Sequence, residues 1–222
     1  PAMEAAQAFA KHLSEAGITV DGEPSRAAAS GGAREMASVS SAPLSDILAL
    51  SLKTSDNTMT EVEGRLVAVH AKQSADFAGA SKAVIAQLGK DGFDTSGLTL
   101  LDASGLAKGN KVPARLLAQI LAKAAGGEGG SAGRTLIADL PVAALDGTLT
   151  NRLHDTTAAG TVRAKTGSLE RTSSLAGVVT TADGRLLAFS ILANDFPANG
   201  GGAAAAVIDS RFVAPLASCG CS

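Results

Sequence analysis

Apolar side chains recur at helical spacing at Met3, Ala6, Ala10 and Leu13, and Gly17 follows where a helix stop is expected. The same spacing returns at Leu44, Ile47 and Leu48 behind Ser41-Ala42-Pro43. Proline at an early helix position loses nothing by its missing N–H, so a helix is predicted to about Lys53. Met59, Val62, Leu66 and Val69 mark the buried side of the next helix, with Thr58 and Glu61 as its S/T-x-x-E capping box. Further helices are predicted over Phe77 to Leu88, closed by Gly89, over Leu116 to Leu121 behind Pro113, from about Gly133 to Pro141, over Gly147 to Leu153, and over Gly200 to Leu216.

Strand patterns concentrate in the last third. Val162 to Leu169, Ser173 to Thr181 and Leu186 to Ala193 favour extended structure, and Asp183-Gly184 between the last two predicts a hairpin. The last strand is apolar on both faces, which calls for helical cover above and below. The C-terminal helix supplies one cover; the other, and a neighbouring strand, are not evident in the chain. Ile18 to Val20 and Leu98 to Leu101 are short strand candidates. Asp21 to Ala37 reads as a loop or an edge strand, and Gly126 to Gly130 as a flexible surface loop.

Composition narrows the classes. The 222 residues suffice for one full core, and the 45% of hydrophobic residues never form a run long enough to span a membrane. A net charge of -2 with scattered charges, no Trp or Tyr and six Phe argues against a nucleic-acid surface. Cys219 and Cys221 lack the further ligands that zinc needs; a disulfide, between them or to elsewhere, suits them better and fits an oxidising compartment. His12, His70 and His154 stand apart from one another without carboxylates at ligand spacing, so no metal site is expected. The chain opens on Pro1-Ala2-Met3-Glu4, which is not a signal peptide and reads as the middle of something longer.

The chemistry gathers in Lys165-Thr166-Gly167-Ser168, on or beside a strand. A peptide laid along such a strand is held by backbone hydrogen bonds, with an ammonium and two hydroxyls placed for a carboxylate. A phosphate loop fails here, because its glycines fall on Ala159 and Ala164 and its lysine should open a helix. Ser55-Asp56-Asn57 lies upstream in a short polar turn pinned between two helices, so its side chains are presented rigidly. S-D-N and K-T-G are two of the three elements, with S-x-x-K, that mark penicillin-binding proteins and class A β-lactamases.

With these motifs stand Asp102-Ala103-Ser104-Gly105-Leu106 with Asn110 and Val112, Leu140 to Leu149 with its Asp146-Gly147-Thr148-Leu149 end, and the strand pair ending at Asn194. Together they resemble the D-alanyl-D-alanine carboxypeptidases of the low-molecular-mass class C penicillin-binding proteins. The resemblance implies an α+β fold of the penicillin-binding transpeptidase and β-lactamase type: a five-stranded antiparallel sheet covered by helices, plus an all-helical subdomain. It also implies a serine D,D-carboxypeptidase that removes the terminal D-Ala of peptidoglycan stem peptides through an acyl-enzyme, needs no cofactor, is acylated by β-lactams and works outside the cytoplasm. Carried over by residue, Ser55, Asn57 and Lys165 are catalytic, and Thr166, Gly167 and Ser168 bind substrate. Ser55 relays a proton to the leaving amine, Asn57 binds a substrate backbone amide, and Lys165 supplies a positive field. Thr166 and Ser168 grip the terminal carboxylate, the Ser168 N–H forms half of the oxyanion hole, and Gly167 admits the substrate backbone. Asp56 is expected to hold the loop or cap the following helix.

One departure is large. No lysine in the chain has a serine three residues before it; Ser104 and Lys108 are one residue too far apart, and Ser104 follows Ser55 where the family's motif precedes it. Residues 1–40 are therefore expected to join from an upstream part, and residues 41–222 to form the C-terminal part of the catalytic domain, with the nucleophile outside this chain. A non-catalytic envelope protein retaining the peptide cleft is the alternative. A β-lactamase ranks lower, for want of a glutamate loop between the two motifs.

Overall fold

The Asp183-Gly184 pair closes the hairpin that its sequence predicts: Thr181 N–H donates to the Arg185 carbonyl at 2.8 Å, and Gly184 takes φ +82°. The hairpin belongs to a three-stranded antiparallel sheet, β1 (Val162–Leu169), β2 (Thr172–Thr180) and β3 (Leu186–Asn194), in that order. The computed structural model describes residues 2–28 and 31–219, which fall into two compact units, Pro1–Ser41 and Ala42–Ser222. The first holds α1 (Ala2–Glu15) followed by irregular chain. Ile18 to Val20 forms no strand, and neither do the described residues between Asp21 and Ala37. Three residues without a pairing partner do not make a sheet.

In the second unit, register fixes which side chains share a face of the sheet. Val162 lies opposite Val179 and Ala164 opposite Gly177, while Phe189 lies opposite Gly177 on the other side. This face packs on the C-terminal helical run: α7 (Gly201–Val207), a π-helical turn (Ile208–Val213) and α8 (Ala214–Ser218), after which Cys219 is disulfide-bonded. Cys221 lies outside the described residues. Val162, Leu175, Val179, Phe189, Ile208 and Val213 form the core there, with Leu149 beneath. Arg152 adds a tie, donating from Nε and Nη2 to the two Asp209 carboxylate oxygens at 2.9 and 2.6 Å.

The cover missing from the sequence reading is a helix already in the chain. α5 (Ala114–Ala125) packs on β2 and β3, burying Leu116, Leu121 and Ala124. The expectation that β3 is buried on both faces holds only in part: Phe189 is buried, but Leu186 is 51% exposed and the others are half-buried. β3 is an edge strand among the described residues. Leu98 to Leu101 is reduced to a single bridge between Thr99 and Lys111.

The helical side differs more from expectation. α2 (Leu44–Thr54) leads into α3 (Asn57–His70), which packs on α4 (Phe77–Lys90). The buried residues of α3 are Gly64 and Ala68, whereas Val62, Leu66 and Val69 are 49%, 53% and 57% exposed. A Cβ at Gly64 would come within 2.7 Å of the Ala103 Cβ, so the smallest residue sets the approach. Leu44 is likewise exposed rather than buried. The capping box is also corrected. Asp56 is the N-cap, accepting from Met59 N–H at 2.8 Å, and Glu61 instead accepts from the N–H groups of Ala103 and Ser104 at 3.1 and 2.8 Å. An aspartate one residue before the helix satisfies the orphan donors first. α6 (Gly130–Asp139) starts three residues earlier than read, and Gly147–Leu149 is a single 3-10 turn.

Candidate active site

α2 ends at Ser55, whose backbone is left-handed at φ 55° and ψ 45°. Two residues later α3 begins at Asn57, so only Ser55 and Asp56 separate the two helices. Asp56 is tied at both ends, its N–H to the Ser51 carbonyl at 3.2 Å and its carboxylate to Met59. Ser51 is itself buried and donates to Glu63 Oε2 at 3.1 Å, linking α2 to α3. Ser55 is thereby held half-buried, with Asn57 exposed at the start of α3.

Lys165 meets this turn from β1. Its Nζ donates to Ser55 Oγ at 2.7 Å and to the Thr166 carbonyl at 2.8 Å. An ammonium has only donors, so Ser55 accepts from it and keeps its own proton to donate elsewhere. Burial holds Lys165 below its ordinary value of 10.5, because the charged form loses hydration there. Lys165 and Ser55 thus share one site. Thr166 is half-buried, with its hydroxyl on that of Thr148 at 2.9 Å, and Ser168 is exposed. At Gly167 a Cβ would collide with the Ser174 hydroxyl, so packing alone already calls for glycine there.

The free edge of β1 follows from strand alternation. Val162 and Ala164 turn their N–H groups away from β2, donating to the carbonyls of Ala158 at 3.1 Å and Pro141 at 2.9 Å. Thr166 and Ser168, two and four residues beyond Ala164, direct theirs along the same outer edge. Where the Leu140 to Ala143 segment stops covering β1, the strand presents two outward N–H groups beside Lys165.

Two loops are held by buried or half-buried carboxylates, one against α3 through Glu61 and one against α2 through Lys53. Asp102 is 7% exposed and accepts from Gly105 N–H at 2.9 Å, Ala107 N–H at 2.6 Å and Asn110 Nδ2 at 2.8 Å. Burial pushes Asp102 up, but the Asn110 amide and the two N–H groups outweigh it and hold the carboxylate below its usual range. Asp146 behaves alike: burial raises it, while Lys53 and the Val142 N–H lower it further. Lys53 had no assigned role in the sequence, Glu61 was expected in a capping box instead, and Asp146 and Thr148 carried only the family resemblance. Their partners lie up to 93 residues away, and no local pattern announces such pairs. His12, His70 and His154 are exposed, and among the described residues no three His, Cys, Asp or Glu side chains are grouped to hold a metal ion. No helix among the described residues is long and apolar enough to cross a membrane.

A family model described as the D-Ala-D-Ala carboxypeptidase 3 (S13) family matches residues 1–212. Carboxypeptidase DacB of Mycolicibacterium smegmatis is 41% identical over all of this chain and 47% of its own length. A D-alanyl-D-alanine carboxypeptidase of an Actinomadura species is 35% identical over 87% of this chain and 37% of its own. The crystal structure of penicillin binding protein 4 (dacB) from Haemophilus influenzae, complexed with a β-lactam, superposes with a TM-score of 0.76 at 32% identity, covering 86% of this chain and 44% of that one. A β-lactamase from Chitinophaga pinensis shares the fold at a TM-score of 0.52 and 21% identity. The chain spans about half the length of the curated relatives it matches.

Proposed function

Because the chain belongs to the D-Ala-D-Ala carboxypeptidase 3 (S13) family, we propose that it forms one side of the catalytic cleft of a serine D,D-carboxypeptidase. The substrate is a peptidoglycan stem peptide ending in D-Ala-D-Ala, met outside the cytoplasm, and the nucleophilic serine comes from sequence beyond these residues. The observation that carries this reading is the 2.7 Å contact between Lys165 Nζ and Ser55 Oγ, which joins the two motifs into one polar centre.

The chemistry follows from the donors. A serine oxygen attacks the penultimate D-Ala carbonyl, the C–N bond breaks, and the departing D-Ala amine needs a proton. Ser55 accepts from Lys165 and directs its own O–H into the cleft, so it passes on to the amine the proton that the attacking serine gives up, and the Lys165 ammonium keeps its charge. The outward N–H of Ser168 meets the developing oxyanion, a contact whose loss costs about 100-fold or more in rate. Thr166, Ser168 and the Lys165 charge receive the terminal carboxylate, Asn57 binds a backbone amide of the stem, and Gly167 lets the peptide lie close. Water then cleaves the ester. β-Lactams acylate the same serine, and the amide of a cross-link fits the same cleft, giving endopeptidase activity alongside.

The exposed edge of β3 and, separately, the exposed Val62, Leu66 and Val69 on α3 support the reading that further sequence packs on this chain. Residues 1–40 lead into it and residues 41–222 are the C-terminal part of the catalytic domain. The test is intact mass spectrometry after incubation with penicillin. The 222-residue chain alone is expected to stay unlabelled, and the same chain joined to a family Ser-x-x-Lys segment to gain one penicilloyl adduct. An adduct on a serine of the isolated chain overturns the assignment of the nucleophile to outside sequence.

A further inference from the structure

The segment from Leu140 to Thr148 touches both of the elements that carry the Ser55 and Lys165 contact, α2 and β1. Toward α2, Lys53 Nζ donates to the Leu140 carbonyl at 2.8 Å and to Asp146 Oδ2 at 2.6 Å, while Asp146 Oδ1 accepts from the Val142 N–H at 2.7 Å. Gly147 takes φ +58°, and a Cβ there would stand 2.8 Å from the Lys53 carbonyl oxygen. Only glycine lets this turn lie flat on the last turn of α2. Toward β1, the Pro141 carbonyl accepts from Ala164 N–H at 2.9 Å, Ala143 N–H donates to the Val162 carbonyl at 3.0 Å, and the Thr148 and Thr166 hydroxyls meet at 2.9 Å. Lys53 precedes Ser55 by two residues and Thr166 adjoins Lys165. The loop therefore grips each element beside its functional group.

We propose that Leu140 to Thr148 is the positioning element of the site: the Lys53 and Asp146 pair seats the Ser55 turn against β1, and Thr148 orients the Thr166 hydroxyl toward a substrate carboxylate. The substrate half rests on the carboxypeptidase reading; the seating half rests on geometry alone. Hydroxyls exchange donor and acceptor roles, so an arriving carboxylate accepts a hydrogen bond from the Thr166 O–H while Thr148 donates to the Thr166 oxygen. Such a chain strengthens each bond in it. Asp146 and Lys53 touch no reacting atom and act through Ser55 and Lys165.

The experiment uses the 222-residue chain with isotope-labelled lysine, following the Lys165 side chain by NMR through alkaline pH, with Lys165→Met to assign it. Asp146→Asn and Lys53→Met are expected to move the Lys165 midpoint up toward the ordinary lysine value, because the loosened Ser55 turn admits water. Loss of thermal stability with an unmoved midpoint in both variants overturns the seating half. For the other half, binding of N-acetyl-D-Ala-D-Ala is compared: Thr148→Val weakens it about tenfold, the scale of one hydrogen bond to a charged group, and Thr148→Ser restores it. Equal weakening by Val and Ser overturns the role of the hydroxyl. If the unsubstituted chain does not bind the dipeptide acid, the Thr148 half falls together with the substrate reading, while the Lys165 midpoint still decides the seating half.

Discussion

The sheet with its C-terminal helices and the α3 and α4 pair bury their residues in opposite ways. On the sheet side the large side chains are inside: Leu149, Leu175 and Val179 are 0% exposed, and Ile208 is 2% exposed. On the helical side the contact is made by Gly64, Ala68 and Ala80, while Val62, Leu66 and Phe77 are left half outside. Apolar area removed from water is the main source of stability, so the first region carries the second. The difference separates two tasks. One region holds β1 straight and in register; the other presents the Ser55 turn on a pair of closely approached helices whose outer face is apolar and uncovered.

Substitution at matched positions breaks or sharpens this division. The largest effect belongs to Leu175→Ala, which opens a cavity among fully buried neighbours and is expected to cost about 3 kcal/mol in urea unfolding. A loss below about 1 kcal/mol means that the sheet side is not the stabilising one. A smaller effect is read as pH dependence at Lys165, on the opposite face of the same strand from Val162 and Ala164. Its pKa is lowered in the folded state, so folding is penalised while the group is protonated below the folded pKa. The penalty fades as pH rises through that value toward 10.5. Wild type is therefore expected to gain stability relative to Lys165→Met between neutral and strongly alkaline pH, as read from urea midpoints. A constant gap between the two proteins removes the burial effect. The smallest change belongs to Leu66→Ser, which should alter the stability of this chain by no more than about 0.5 kcal/mol. Joined to an upstream segment that covers α3, the same substitution should cost about 1–2 kcal/mol more. An equal cost in both contexts means that nothing docks on the stripe.

The same comparison explains what was readable in advance. β1, β2 and β3 emerged from alternation and from Asp183-Gly184 because strand register is decided locally, by side-chain period and turn chemistry. The face of α3 was misread because a search for large apolar residues finds Val62, Leu66 and Val69, whereas close helix contact selects Gly64 and Ala68. Thr58 and Glu61 matched a capping box, yet Asp56 capped the helix and Glu61 was drawn to a loop some 40 residues on, at Ala103 and Ser104. Ser55, Asn57 and Lys165 were visible as motifs. That the Ser55 turn faces Lys165 in one cleft followed from the family resemblance; the parts that hold them there, Lys53, Asp146 and Gly147, did not, because they look like ordinary surface residues until the fold brings them together.

Ser55 occupies a backbone conformation that glycine adopts freely and that a residue bearing a Cβ enters at a cost of about 1 kcal/mol. Heat resistance and chemistry therefore pull one codon in contrary directions. A lineage selected only for ruggedness would drift to glycine at this helix end, leaving the architecture intact and the lysine opposite an empty space. A hydroxyl there is what the proposed proton relay requires.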